Sequence, residues 1–324
     1  MIADRISRMA RTPLSHFSPG NLVTVGYIAA IAQAALSAGI PYILFPELGA
    51  LAHDVFERPT GRWATAPILL VVTPLFTAVP GVWIAQHMHY GVLSVSLGTG
   101  VGMGIVAALR SPVAPAISAG LLPIVFRIRS WCYPPSILAG TAALVLVSLA
   151  HHRWIRARGN PPAMSRTESV SDIVERAPAH YGWVPFFFGF VVVCVLLAHI
   201  TGWRAILVPP LVVTGFEMFA HADVCPWADR PSVLPLICGL TAACGLFFRL
   251  WLGTGPLAAA GIIIGSIAIL KVARLHIPPA IAIGLLAILV RAPGYAYPVA
   301  VAAGAALLTG IFLVYRRRYR PRAA

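Results

Sequence analysis

Three carboxylates stand where chemistry would not leave them idle. Glu47, Asp54 and Glu217 lie within apolar stretches of a 324-residue chain that holds only ten acids. If these stretches cross a bilayer, each carboxylate costs about 2.5–3.5 kcal/mol at the centre, and acids kept at that cost commonly take up and release protons. Asp54 precedes Phe56 by two residues and Glu217 precedes Phe219 by two, so the pair corresponds at an offset of 163, whereas Glu47 meets Pro210. The three are candidate proton-coupling groups. The structural alternative puts Asp54 and Glu217 at helix ends near the interface, partnered by Arg58 or His221.

A second set of residues suits an anion. Arg110-Ser111-Pro112 opens one short apolar segment and Arg274-Leu275-His276-Ile277-Pro278-Pro279 opens another. Ser111 is expected as an N-cap with Pro112 in the first helical position. A helix begun by proline leaves unpaired amides at the positive end of its dipole, and an arginine beside it completes an anion site. Arg110, Ser111, Arg274 and His276 are therefore candidate substrate-binding residues. Pro115, Pro279, Gly120 and Gly284 shape the same segments. The structural alternative makes Arg110 and Arg274 ordinary loop cations.

Other chemistry finds no footing. The five cysteines (Cys132, Cys194, Cys225, Cys238, Cys244) lack metal spacing and mostly sit in apolar runs. His87, His89, His151, His152 and His199 come without carboxylates at ligand spacing. Thr24-Val25-Gly26-Tyr27 matches most of a potassium-filter motif, but Ile28 replaces the last glycine within an unbroken span. No nucleophile with a base and no phosphate loop is present. The expectation is no enzyme, no cofactor and no bound metal.

The elements that would position these residues follow from composition. The chain is 59% hydrophobic and 10% charged, with mean hydropathy +0.83. A soluble domain carries about 25% charged residues, so this chain belongs in a membrane. Its net charge of +14 does not point to nucleic acid. The arginines gather at Arg5, Arg8 and Arg11, at Arg153, Arg156, Arg158 and Arg166, and at Arg316, Arg317, Arg318, Arg320 and Arg322. Clusters flanking apolar spans mark cytoplasmic loops. Both termini and the central connection are expected on that side of the cell (inner) membrane, with Arg127, Arg129, Arg204 and Arg291 as exceptions. The first twenty residues lack a signal peptide's apolar core and are expected to stay on the protein.

The chain also repeats itself. Pro115–Arg127 reads PAISAGLLPIVFR, and Pro279–Arg291 reads PAIAIGLLAILVR, 164 residues later. Tyr133-Pro134 returns as Tyr297-Pro298, and Ala139-Gly140 as Ala303-Gly304, at the same offset. Upstream, Pro46 and Pro209, Gly98 and Gly261, and Gly102 and Gly265 correspond at 163, which places a one-residue insertion between Gly102 and Arg110. A tandem duplication is the reading.

Eight full-length spans are expected: Leu22–Tyr42, Ala66–Ala85, Gly91–Leu109, Pro134–Ala150, Trp183–Ile200, Ser232–Leu252, Pro256–Leu270 and Tyr297–Tyr315. Four shorter pieces, Ile43–Phe56, Pro112–Phe126, Ile206–Phe219 and Ile277–Val290, reach only about 21 Å of a core about 30 Å thick. The expected architecture is all-α, a polytopic transmembrane bundle of two parallel pseudo-symmetric repeats with about 12 helices, four of them short and introduced by proline. Its divisions are a basic leader (1–20), a first repeat (21–150), a cytoplasmic linker (151–182), a second repeat (183–315) and a basic tail (316–324). The linker is expected to act as a tether, with one short helix at Asp172–Arg176. Small residues four apart, Ala116 with Gly120, Ala280 with Gly284, Gly98 with Gly102 and Gly261 with Gly265, give flat faces for close helix packing in lipid.

Leu275–Leu286, reading LHIPPAIAIGLL, resembles the signature of the HPP family of bacterial and plant membrane proteins. Phe45–Ala50, reading FPELGA, and Tyr297-Pro298 with the small-residue helix after it are similar to further segments of that family. The likeness covers roughly residues 40–150 and again 200–315. Ile277 parts His276 from the proline pair, and the first copy has no histidine there. Some plant and cyanobacterial members are associated with nitrite transport. The resemblance thus implies a transporter of a small inorganic or organic anion, working between two repeats in the lipid bilayer, with homo-oligomers compatible with it. The alternatives are a non-transporting membrane scaffold or assembly protein and, last, an enzyme acting on a lipid-linked substrate.

Overall fold

The computed structural model describes residues 17–157, 172, 174–176, 178, 180–290 and 293–319. The arginines at positions 5, 8, 11, 158, 166, 291, 320 and 322, and most of the linker, lie outside these residues.

Regular structure among the described residues is helical throughout. The chain runs α1 (Pro19–Ala38), α2 (Glu47–Glu57), α3 (Arg62–Thr65), α4 (Pro67–His87), α5 (Val92–Ala108), α6 (Ala116–Phe126) and α7 (Tyr133–Ala157). After the linker come α8 (Val184–Thr201), α9 (Pro209–Ala220), α10 (Leu234–Leu252), α11 (Pro256–Ala273), α12 (Pro278–Leu289) and α13 (Ala296–Tyr319). Among the described residues seven segments are long and apolar enough to cross a membrane: α1, α4, α8, α11, most of α7 and α13, and α10 with the turn before it. Helix α5, at 17 residues, is shorter. This is a multi-pass, all-helical membrane protein.

Local sequence accounts for where the helices start and stop. Ser18 caps α1 by accepting the Asn21 amide at 3.1 Å, and Pro19 follows where a missing N–H costs nothing. Gly39 ends the helix at φ 65, the left-handed turn glycine takes without strain. Proline starts α4, α9, α11 and α12. Helix α6 differs from the expectation. It begins at Ala116 with Pro115 as its flanking residue, so Pro112 is not its first position and Ser111 does not cap it. The Ser111 hydroxyl instead accepts the Val113 amide at 3.2 Å and the Thr73 hydroxyl at 2.8 Å. The segment between Ala108 and Ala116 is a turn, because closely spaced prolines at 112 and 115 deny it the amides an α-helix needs.

The four short helices, α2, α6, α9 and α12, are the inside of the bundle. Every residue of α9 is buried, as is every residue of α2 from Glu47 to Phe56. Helix α1 packs on α2 and α11, while α8 packs on α9 and α5. Helix α4 contacts α5, α6 and α7, and α10 contacts α11, α12 and α13. Across the middle, α2 lies against α12, and α9 lies against both α6 and α12.

Glycine sets the closest approaches. A Cβ on Gly81 of α4 would stand 2.2 Å from the Gly120 carbonyl oxygen, and one on Gly245 of α10 would stand 2.2 Å from that of Gly284. The longer glycine stripes do not match in packing. Gly98 and Gly102 face Ile124 and Ile117 of α6, whereas Gly261 and Gly265 face Phe248 and Cys244 of α10. On α11 it is Ile262 and Ser266 that meet Gly284 of the short helix. Gly98 and Gly102 are buried on α5, as Ile262 and Ser266 are on α11.

Candidate functional site

Asp54 sits in the last turn of α2 and is fully buried. One turn on, Arg58 leaves the helix. Its Nε donates to Asp54 Oδ1 at 2.7 Å, and a terminal nitrogen lies 2.6 Å from the same oxygen. The i, i+4 spacing on a helix makes this contact local. From the second half, His276 precedes α12 and brings Nε2 to 3.2 Å from that oxygen. The His53 ring lies 5.6 Å from the His276 ring, tilted by 37°.

The linker closes the group. Arg58 donates to Asp172 Oδ1 at 3.1 Å and also to Glu175 Oε1. Glu175 is itself buried, though it lies in the polar connection. Burial, followed by the negative charge of Asp54, pushes its carboxyl up to about 8, outweighing the Arg58 guanidinium. Glu217, at the corresponding point of α9, is 3% exposed. It lies within the electrostatic reach of Glu175, Asp54 and Arg58. One oxygen of Asp54 and one of Glu217 have no hydrogen-bond partner.

Three of the chain's ten acids thus bond Arg58, with His276 at one side of Asp54. Lys271 acts on the same region through His53, while its ammonium lies 4.9 Å from the Phe17 ring centroid. A carboxylate out of water is tolerable only when its charge is met by a partner and hydrogen bonds. Here a few cations serve several acids. The described residues include no cluster of three or more His, Cys, Asp or Glu able to hold a metal ion.

The residues named for anion binding are dispersed. Arg110 and Arg274 have exposed side chains and occupy left-handed positions, φ 48 and 53, that close α5 and α11 at their C-terminal ends. Their amides bond back to Ala107 and Lys271. Pro115 and Pro279 are buried at helix starts, and Gly120 and Gly284 serve the contacts with α4 and α10. Of that set only His276 joins the acids. Glu47 lies apart, at the other end of α2. Asp54 sits at a helix end and pairs with Arg58, as the structural alternative had it, and among the described residues Glu217 makes no ion pair with His221. Asp172, Glu175 and His53 were not singled out by sequence. The Asp54–Arg58 spacing was a readable signal, and the docking of a polar linker was not.

Two of the arginines that break the topology rule have local partners. Arg129 donates to the Ala85 carbonyl at 3.1 Å, and Arg204 lies over the Tyr90 ring at 5.0 Å. Two open apolar grooves, about 500 and 260 Å³, lie beside Ile311 along the seam of α8 and α13. Comparison with protein-family models, with curated proteins and with solved structures finds no match to this chain.

Proposed function

We propose that this protein is a proton-coupled secondary transporter built from two parallel repeats, with Asp54, Glu217, Arg58 and His276 as the groups that handle the proton. The observation that carries the reading is Asp54: a fully buried carboxylate engaged at once by Arg58 of its own half and His276 of the other. A carboxylate so placed responds to any movement of one half against the other.

Paired contacts support the two-repeat arrangement. Tyr133 donates to the Ala119 carbonyl at 2.9 Å and Tyr297 to that of Ile283 at 2.6 Å, and both residues of each pair differ by 164. The Gly81–Gly120 and Gly245–Gly284 approaches differ by the same offset. Helix α1 leans on α11 as α8 leans on α5, an exchange expected of halves related by an axis along the membrane normal. Arg316, Arg317 and Arg318 end α13, which favours cytoplasmic termini in a cell membrane.

The cargo is proposed on the HPP likeness: a small anion such as nitrite, entering as its protonated acid or together with protons. The acid-rich centre supports the proton half of this reading more than a fixed anion site at Arg110 and Arg274. The test is nitrite uptake into proteoliposomes with and without an imposed pH gradient. Gradient-dependent uptake that Asp54→Asn and Glu217→Gln both abolish is expected. Absence of flux for nitrite and related anions removes the transporter reading.

One observation favours the scaffold reading instead. Asp54 and Glu217 are closed from water on every side in this conformation, as a packed, non-transporting bundle would have them. That reading expects the two substitutions to leave any flux unchanged.

A further inference from the structure

Away from the Asp54 group, at the opposite end of α2, a second pair of polar side chains faces inward. Glu47 is in the first turn of α2 and 1% exposed, and both its carboxyl oxygens lack a hydrogen-bond partner. Ser118 of α6 is wholly buried, and its hydroxyl oxygen also lacks a partner. The two lie opposite each other, close enough for the hydroxyl to act on the carboxyl. Their counterparts in the second half are Pro210 and Ala282. Both polar groups occur in one half, and both are replaced by apolar residues in the other.

An unpaired carboxylate sealed in a bundle costs several kcal/mol even after relaxation, so something neutralises it. Among the described residues the surroundings supply no cation. Tyr133 of α7 is the titratable group facing Glu47, and its phenol donates to the Ala119 carbonyl. Tyr27 of α1 points its phenol at the Gly140 carbonyl. Helix α12 presents Ile281 and Leu285, packed so tightly that a Cβ on Gly49 would stand 2.5 Å from Leu285 Cδ1. His53, Asp54 and Glu57 on the same helix stand six, seven and ten residues on, with Asp54 about 10 Å along the axis. A metal cation would need a shell of several oxygens, and the positive end of the α2 dipole opposes one. A proton needs neither.

We propose that Glu47 and Ser118 form a proton-binding site separate from the Asp54 group, present in the first half alone, in which the Glu47 carboxyl carries the proton and the Ser118 hydroxyl shares it by a hydrogen bond. The site deepens the proton-coupled reading by making the two halves unequal. Asp54 and Glu47 lie seven residues apart, on one face of α2, so a proton released between the halves has a second carboxylate within the same helix.

The test does not depend on transport. N,N′-Dicyclohexylcarbodiimide reacts with protonated carboxyls in apolar surroundings: the acid's proton passes to a reagent nitrogen, its oxygen bonds the central carbon, and the whole reagent is retained. Purified protein would be labelled across pH 5–9 and residue 47 read by peptide mass spectrometry. In parallel, the carbonyl stretch of a protonated carboxylic acid would be read in infrared difference spectra. Labelling of Glu47 at low pH that falls at least about tenfold by pH 9, with an infrared band lost in Glu47→Gln, is expected. Ser118→Ala, which removes one oxygen from a packed site, should shift the pH at which the band disappears. Absence of both label and band at Glu47, a band that ignores pH, or protection by sodium at constant pH each overturns the proposal. Since Glu47 is read without any flux, loss of the transport reading leaves this result standing, and the reverse.

Discussion

His276 Nε2 and Asp54 Oδ1 meet at 3.2 Å although 222 residues separate them. The contact joins the turn before α12 to the last turn of α2, the two short helices that touch across the middle of the bundle. Asp54 is fully buried, yet the His276 side chain is 34% exposed. The pair therefore links an enclosed carboxylate to a partly open side chain.

The partners of Asp54 are unequal, and substitution should separate them. Asp54→Ala removes a buried charged hydrogen-bond partner while Arg58 keeps Asp172 and Glu175, so it is expected to cost about 1.5–3 kcal/mol. Asp54→Asn keeps an oxygen to accept from Arg58 and should cost less, while abolishing gradient-driven uptake. His276→Ala, at a partly open site, should cost under about 1 kcal/mol and still slow uptake. Thermal unfolding in detergent, set beside proteoliposome flux, checks all three; a His276→Ala protein with unchanged flux would count against the proton role.

Glu175 predicts how the linker responds to pH. Its docked carboxyl titrates at about 8, above the ordinary value for a glutamate, so the docked state binds the proton more tightly than the free linker does. Docking is then strongest below the ordinary glutamate range. It weakens as pH rises toward 8, losing at most about 1.4 kcal/mol over each pH unit in between. Relative to the intrinsic base-catalysed rise of exchange, protection at positions 172 and 174–176 should fall between pH 5 and pH 8 in the wild type. Glu175→Gln should leave that protection independent of pH. Protection that grows with rising pH would reverse the sign and defeat the prediction.

How far this was legible in sequence depends on the kind of contact. Helix positions came through closely: the apolar piece expected over Ile277–Val290 is α12, Pro278–Leu289, because proline and the apolar run are local signals. The Asp54–Arg58 pair is also local, one helical turn. The meeting of Asp54 with His276, and of Arg58 with Glu175, depends on how two halves and a polar connection dock, which no spacing encodes. The glycine stripes misled for a related reason. Gly98 and Gly261 match as letters, but Gly98 is buried on α5 whereas on α11 it is Ile262 that is buried.

Glycines with backbone against them should tolerate nothing larger. Gly81→Ala and Gly245→Ala would press a methyl group against the carbonyls of Gly120 and Gly284. Backbone cannot swing aside as a side chain can, so each is expected to cost about 1–3 kcal/mol or more. Gly98→Ala meets the tip of Ile124, which can change rotamer, and should cost less. Gly26→Ala, with open space around it, should be near neutral. Unfolding temperatures of the four variants give the order directly, and equal losses at Gly26 and Gly81 would contradict the packing.

Arg110 and Arg274 allow the two roles suggested by sequence to be told apart. Both hold positive φ, 48 and 53, a conformation that costs a side-chain-bearing residue about 1 kcal/mol and glycine almost nothing. Arg110→Gly and Arg274→Gly should therefore raise stability by about that amount, since the side chains are exposed and the helix-ending bonds run through the backbone. If the arginines only close α5 and α11 and mark the cytoplasmic side, the stabilised variants keep the wild-type Michaelis constant for any transported anion. If they bind that anion, each loses a charge from the site, and the constant rises about tenfold or more, as loss of a charged hydrogen-bond partner commonly does. Uptake measured against anion concentration for the two variants decides between them, and their exposed placement predicts the unchanged constant.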